Sequence, residues 1–91
     1  MDSWNIGFES SAVKDIKKLP PAISKRIGIK LRWFVSQPSP LVYATKLVGN
    51  GLIGEYRYRV GEYRILFDAD ETAKTIIVRT IMHRREVYKS R

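Results

Sequence analysis

The chain has 91 residues, 44% of them hydrophobic, with 17 Lys+Arg against 9 Asp+Glu, a formal net charge of +8 and no cysteine. That length predicts one domain over residues 1–91 with one core and one shallow site, and the apolar share excludes a disordered tail. The missing cysteines exclude disulfides, zinc ribbons, iron–sulfur clusters and thiol catalysis, and the excess of cations points to a polyanionic partner, with solubility as the plainer reading.

Trp4-Asn5-Ile6-Gly7-Phe8 alternates apolar with small or polar residues and reads as a strand. Ser10 or Ser11 is placed to cap a helix through its hydroxyl. Ala12, Val13, Ile16 and Leu19 follow at helical spacing, and Pro20-Pro21 ends that helix and opens the next. The second helix runs to about Ser36 with Ile23, Ile27, Leu31 and Phe34 as its apolar stripe, which is expected to be ordinary core. Residues 37–54 hold two prolines, Gly49-Asn50-Gly51 and Gly54, and read as a loop. No Lys-Ser/Thr follows those glycines, so they are not a phosphate loop.

Period-two alternation then predicts three strands: residues 55–60, 62–68 and 75–82. Asp70 to Lys74 is a polar turn; Asp68 and Asp70 can be read as a hard-cation pair, but a turn explains them better. Residues 84–91 form a short helix or a tail. The order is β-α-α-β-β-β. The predicted fold class is therefore α+β: an N-terminal strand and a helical hairpin packed on one face of a small antiparallel sheet. No segment approaches the about 18–20 apolar residues of a membrane span. The start, Met1-Asp2-Ser3-Trp4, has no signal-peptide pattern, so a cytoplasmic protein is expected.

Two clusters carry candidate chemistry. A tight hairpin centred on Val60-Gly61 would set Arg57 opposite Arg64 and bring Arg57, Arg59 and Arg64 onto one face. Opposed like charges are unfavourable, so three guanidiniums together suggest a bound anion, and the planar fork of arginine suits phosphate. The ordinary alternative is a solvated face paired with Glu55 and Glu62. The second cluster is His83-Arg84-Arg85-Glu86-Val87-Tyr88-Lys89. RNA cleavage without a metal needs a base, an acid and cations, and these side chains include all three. A surface histidine and a tail-packing tyrosine are the structural alternatives. One histidine without cysteine leaves no transition-metal site, so no metal or other cofactor is expected.

The run Glu55-Tyr56-Arg57-Tyr58-Arg59-Val60-Gly61-Glu62-Tyr63-Arg64-Ile65-Leu66-Phe67, followed by Ile81-Met82-His83-Arg84-Arg85-Glu86-Val87-Tyr88, resembles the RelE branch of the RelE/ParE toxin superfamily, as does Lys17-Lys18-Leu19-Pro20. The resemblance covers nearly the whole chain. It implies the RelE-like fold, ribosome-dependent endonucleolytic cleavage of mRNA in the ribosomal A site without metal, and a cognate RelB-like antitoxin as partner beside the ribosome and mRNA. Residue by residue, it implies that Arg57 and Arg59 grip phosphate and that Arg64 stabilises the phosphate undergoing reaction. Arg84 stabilises the transition state or acts as an acid. Tyr88 orients or deprotonates the attacking 2′-hydroxyl, and His83 is a general-acid candidate. Arg85 and Lys89 in the same run add phosphate-binding cations. The chain departs from some relatives in that residues 39–47 carry no carboxylate. Within the same superfamily, a ParE-like protein that inhibits DNA gyrase without cleaving RNA is the second reading. A non-catalytic RNA-binding module is the third.

Overall fold

The computed structural model describes residues 3–47 and 54–89, the side chains of Tyr88 and Lys89 excepted. Its elements are β1 (Asn5–Phe8), α1 (Ser10–Lys18), α2 (Pro21–Ser36), a 3₁₀ turn (Pro40–Tyr43), β2 (Thr45–Lys46), β3 (Tyr56–Val60), β4 (Tyr63–Asp70), β5 (Thr75–His83) and α3 (Arg84–Lys89). The α+β class and the strand–helix–helix–strands order are as expected. The two-residue β2 and the 3₁₀ turn stand inside the stretch read as loop; Gly49-Asn50-Gly51 lies outside the described residues. Among the described residues, no helix is long and apolar enough to cross a membrane.

The helix boundaries have simple causes. Pro20 takes the cap position of α2 and Pro21 its first turn, where a missing N–H costs nothing. The expected serine cap of α1 does not form. Glu9 occupies the cap position without a side-chain cap bond, and the Ser11 hydroxyl instead donates to the Arg79 carbonyl at 2.6 Å.

The sheet order is β1-β5-β4-β3-β2. β2, β3, β4 and β5 pair antiparallel, as short connections dictate. β1 lies parallel to β5, from Asn5↔Thr75 to Phe8↔Val78, so the sheet is mixed rather than wholly antiparallel. No short turn joins these two strands, so nothing local imposes an antiparallel direction.

The helix-facing side of the sheet carries Tyr58, Val60, Ile65, Phe67, Ile76, Val78 and Ile81, all buried against Ala12, Ile27, Leu31 and Phe34. Phe34, Tyr58, Phe67 and Tyr56 stack in series, with centroid separations of 3.7, 4.4 and 5.5 Å. Leu66 and Val87 are buried outside this cluster. Leu66 points to the opposite side of the sheet, and Val87 belongs to α3, which packs against β4 and β5.

Between Leu66↔Thr80 and Phe67↔Val78 the strand β5 carries one extra residue, Arg79. Such a bulge strengthens the local twist and interrupts the ladder. Helix α1 supplies the missing partners. The Asp15 carboxylate accepts from the Ile81 N–H at 2.9 Å and from the Thr80 hydroxyl at 2.8 Å. The Arg79 guanidinium spans Asp68 at 2.6 Å and Glu9 at 3.4 Å. Asp68 also accepts from the Glu55 N–H at 3.0 Å, so its carboxylate holds the bulge and the start of β3 together. Asp15→Ala would strand the Ile81 amide and is expected to cost about 1–3 kcal/mol. Urea melts should show the loss, and Asp15→Asn, which keeps an acceptor oxygen, should recover much of it.

Candidate nucleic-acid interface

The interface begins with the parity of β3. Tyr58 and Val60 are buried toward the helices, so the residues between and beside them must point the other way. The pairing is Arg59↔Arg64 and Val60↔Tyr63, which leaves Gly61-Glu62 as a two-residue turn. This differs by two residues from the expected register. A shift of two preserves the face, so Arg57, Arg59 and Arg64 do share the side away from the helices. The directly opposed pair is Arg59 with Arg64, not Arg57 with Arg64; Arg57 faces Leu66. Gly61 adopts φ +58°, the left-handed conformation that glycine supplies at low cost in such hairpins.

The turn then anchors two guanidiniums. Arg64 is half-buried, and its Nη1 donates to the carbonyls of Gly61 and Tyr63, both at 3.0 Å. Arg84 enters from the end of β5. Its Nε donates to the Glu62 carboxylate at 2.8 Å, and its backbone N–H donates to the Glu62 carbonyl at 2.7 Å. Thus Arg64 and Arg84, which are 20 positions apart in the chain (84 − 64), are both fastened to residues 61–63, beside Arg59. Glu62 was expected at most to neutralise the strand face; its contact is with Arg84. That ion pair is exposed on both sides, and such pairs contribute at most about 1 kcal/mol. Glu62→Gln is therefore expected to lower Tm by no more than a few degrees in a thermal melt.

His83 stands at the same end of the sheet but on the other face. It pairs with Tyr63, and the two rings meet edge-on at 5.4 Å. Its Nδ1 accepts from the Arg85 N–H at 3.3 Å, which puts the proton of the neutral ring on Nε2. Arg85 is exposed on α3. Tyr88 and Lys89 are the last two residues of α3, and their side chains lie outside the described residues. The structure therefore brings Arg59, Arg64 and Arg84 to the β3–β4 turn, sets Arg57 on the same face farther along β3, and places the His83 ring on the helix-facing side of the same end.

One cation that the pattern did not single out also reaches the turn. Arg26 of α2 lies over Gly61: a Cβ built there would stand 3.3 Å from the guanidinium. No local signal relates a helix residue to a turn 35 positions later (61 − 26). Among the described residues, no group of three or more His, Cys, Asp or Glu side chains is placed to hold a metal ion.

Comparison with known proteins gives the family of the chain. The family described as the ParE toxin of type II toxin–antitoxin systems matches residues 6–88. Toxin RelE3 of Methanocaldococcus jannaschii is 35% identical over 83 residues, covering 89% of this chain and 91% of that protein. Toxin RelG of Mycobacterium tuberculosis is 27% identical over 86 residues, covering 94% and 97%. Among solved structures, the RelBE2 toxin–antitoxin complex from Mycobacterium tuberculosis superposes with a TM-score of 0.79 at 27% identity, covering 90% of this chain and 99% of the matched one. The RelB–RelE antitoxin–toxin complex from Methanococcus jannaschii gives 0.64 at 31% identity, covering 91% and 95%.

Proposed function

The chain belongs to the ParE toxin family of type II toxin–antitoxin systems as a RelE-like member, and from that premise we propose that it is a ribosome-dependent mRNA endonuclease acting in the A site. The observation that carries this reading is the convergence of Arg59, Arg64 and Arg84 on the Gly61–Tyr63 turn. Three guanidiniums gather at this turn, with Glu62 as the acidic partner of Arg84. Two of them are already oriented by hydrogen bonds to the turn, which is the preorganisation that stabilises a developing anion.

In this reading the ribose 2′-oxygen bonds to the adjacent phosphorus while the bond from phosphorus to the 5′-oxygen breaks. The products are a 2′,3′-cyclic phosphate and a 5′-hydroxyl. Arg57, Arg59, Arg64 and Arg84 offset the charge of the phosphorane. A guanidinium has no lone pair to accept a proton, so these four act as cations and not as the base. Tyr88 takes or orients the proton of the 2′-hydroxyl. His83 is the acid candidate for the leaving oxygen, and because its ring lies on the helix-facing side of the sheet end, opposite the arginine face, the RNA must pass round that end to reach it. Arg85 and Lys89 add phosphate contacts along α3. The work is done in the cytoplasm on translating ribosomes, and a RelB-like antitoxin neutralises it. The toxin–antitoxin complexes formed by the solved relatives support that partner.

The experiment is a translation reaction with a defined mRNA, mapped by primer extension, comparing wild type with Tyr88→Phe. Cleavage inside the A site that the variant loses supports the reading. Intact mRNA with folded wild-type protein sinks it. The matched family's ParE name favours gyrase inhibition as the second reading, and a supercoiling assay on the same preparation tests that directly. RNA binding without cleavage or gyrase inhibition would leave the non-catalytic module.

A further inference from the structure

A second concentration of charge adjoins the first. Between α2 and the β3–β4 turn runs an open groove of about 440 Å³, floored by Ile29, Val60 and Gly61 and edged by Lys25, Arg26, Lys30 and Arg59. All four cations are exposed, and among the described residues no acidic side chain lines the groove. Among the described residues, Lys25, Arg26 and Arg59 make no ion pair. The Lys30 ammonium rests over the Trp33 ring at 4.7 Å, a contact that holds the cation without a counter-anion. Packing the Arg26 guanidinium against the backbone of Gly61 holds that cation at the mouth of the turn.

We propose that this groove is a second phosphate-binding track, which holds the RNA backbone beyond the linkage that is cut. The inference rests on the RNA-cleaving reading and extends it to the substrate's flanking nucleotides. Arg59 is the joint: it lines the groove and is also the direct partner of Arg64 on the sheet. A polyanion lying on Arg64 and Arg59 meets Arg26 next and then Lys30. Arg26 and Lys30 are one helical turn apart, about 6 Å along the axis, a spacing that suits successive phosphates of an extended single strand. A polyanion that must satisfy both surfaces explains why the groove and the sheet face carry the same sign, with Glu62 of the intervening turn engaged by Arg84. An isolated acidic peptide would need the groove alone.

The test uses the full chain and two uncleavable 2′-O-methyl RNAs, a trinucleotide and an oligomer of about twelve nucleotides, a length within the range that single-strand sites cover. The variant is Lys25→Gln with Arg26→Gln and Lys30→Gln. Removing three phosphate contacts should lower the slope of log K against log salt by about 2 for the long RNA, with the trinucleotide bound as by wild type. A charge-keeping variant, Lys25→Arg with Arg26→Lys and Lys30→Arg, should restore the slope, which separates charge from any packing effect of Arg26 on the turn. Unchanged binding and slope in the glutamine variant overturn the track while leaving the cleavage reading intact. Cleavage by wild type on the ribosome is measured in parallel, so failure of that reading shows independently. Loss of binding to polyglutamate with RNA binding retained would also overturn the track, assigning the groove to an acidic protein segment.

Discussion

Arg64→Ala is expected to reduce mRNA cleavage on translating ribosomes on the order of 10²–10³-fold, the usual cost of deleting one preorganised donor at a developing anion. Arg64 is the best-seated cation of the cluster. It is half-buried on β4, opposite Arg59, with Nη1 tied to the carbonyls of Gly61 and Tyr63. Those bonds fix the plane of the guanidinium before RNA arrives. Arg64→Lys should recover only part of the loss, because an ammonium keeps the charge without the fork that grips two phosphate oxygens. Single-turnover cleavage at saturating ribosomes, with thermal melts to confirm folding, gives the comparison. Equal rates for wild type and Arg64→Ala would remove Arg64 from the site and with it the main support for phosphate chemistry at this turn.

How the arginines come to share a face could be read from the chain, and the reason is arithmetic. Strand side chains alternate, so any hairpin register that differs by an even number of residues gives the same faces. The expected and observed registers differ by two, which changed the opposed pair but not the grouping of Arg57, Arg59 and Arg64. His83 is the contrary case. Strict alternation along β5 from Ile76 and Val78 would put Thr80 and Met82 toward the helices and His83 with the arginines. The extra residue Arg79 reverses that parity, so Ile81 and His83 turn to the helix side and Met82 lies opposite Arg64. A bulge held by Asp15 from a helix 65 positions earlier, as Thr80 is, leaves no local mark in the sequence. The same holds for β1. Its alternation announced a strand, but its parallel partner is 70 positions away at Asn5↔Thr75, and only the assembled sheet shows that edge to be free. β2 has two residues, too few for any period.

The alternation of β3 depends on how firmly Tyr58 is seated, and its removal is the largest stability effect expected in this fold. Tyr58 is fully buried, stacked between Phe34 and Phe67, and its hydroxyl donates to the Pro40 carbonyl at 2.8 Å. It joins α2, β3, β4 and the 3₁₀ turn. Tyr58→Ala is expected to cost about 3–5 kcal/mol, a large part of the about 5–15 kcal/mol that holds a domain together. Because Tyr58 lies between Arg57 and Arg59, that loss should also loosen the arginine face, so RNA affinity should fall although no phosphate ligand has changed. Tyr58→Phe keeps the stack and strands one carbonyl, at about 1–3 kcal/mol. It should also alter the alkaline limb of the stability curve. Burial disfavours the phenolate and raises the Tyr58 pKa above its ordinary value near 10. The unfolded chain therefore releases this proton first. The contribution is fully present below about pH 10 and is lost as pH rises from there toward the folded pKa. Urea melts between pH 8 and pH 11 should show wild-type stability declining above about pH 10, with a shallower decline in Tyr58→Phe. Parallel curves for the two proteins would mean that the Tyr58 hydroxyl is solvated in the folded state, contrary to its bond with Pro40.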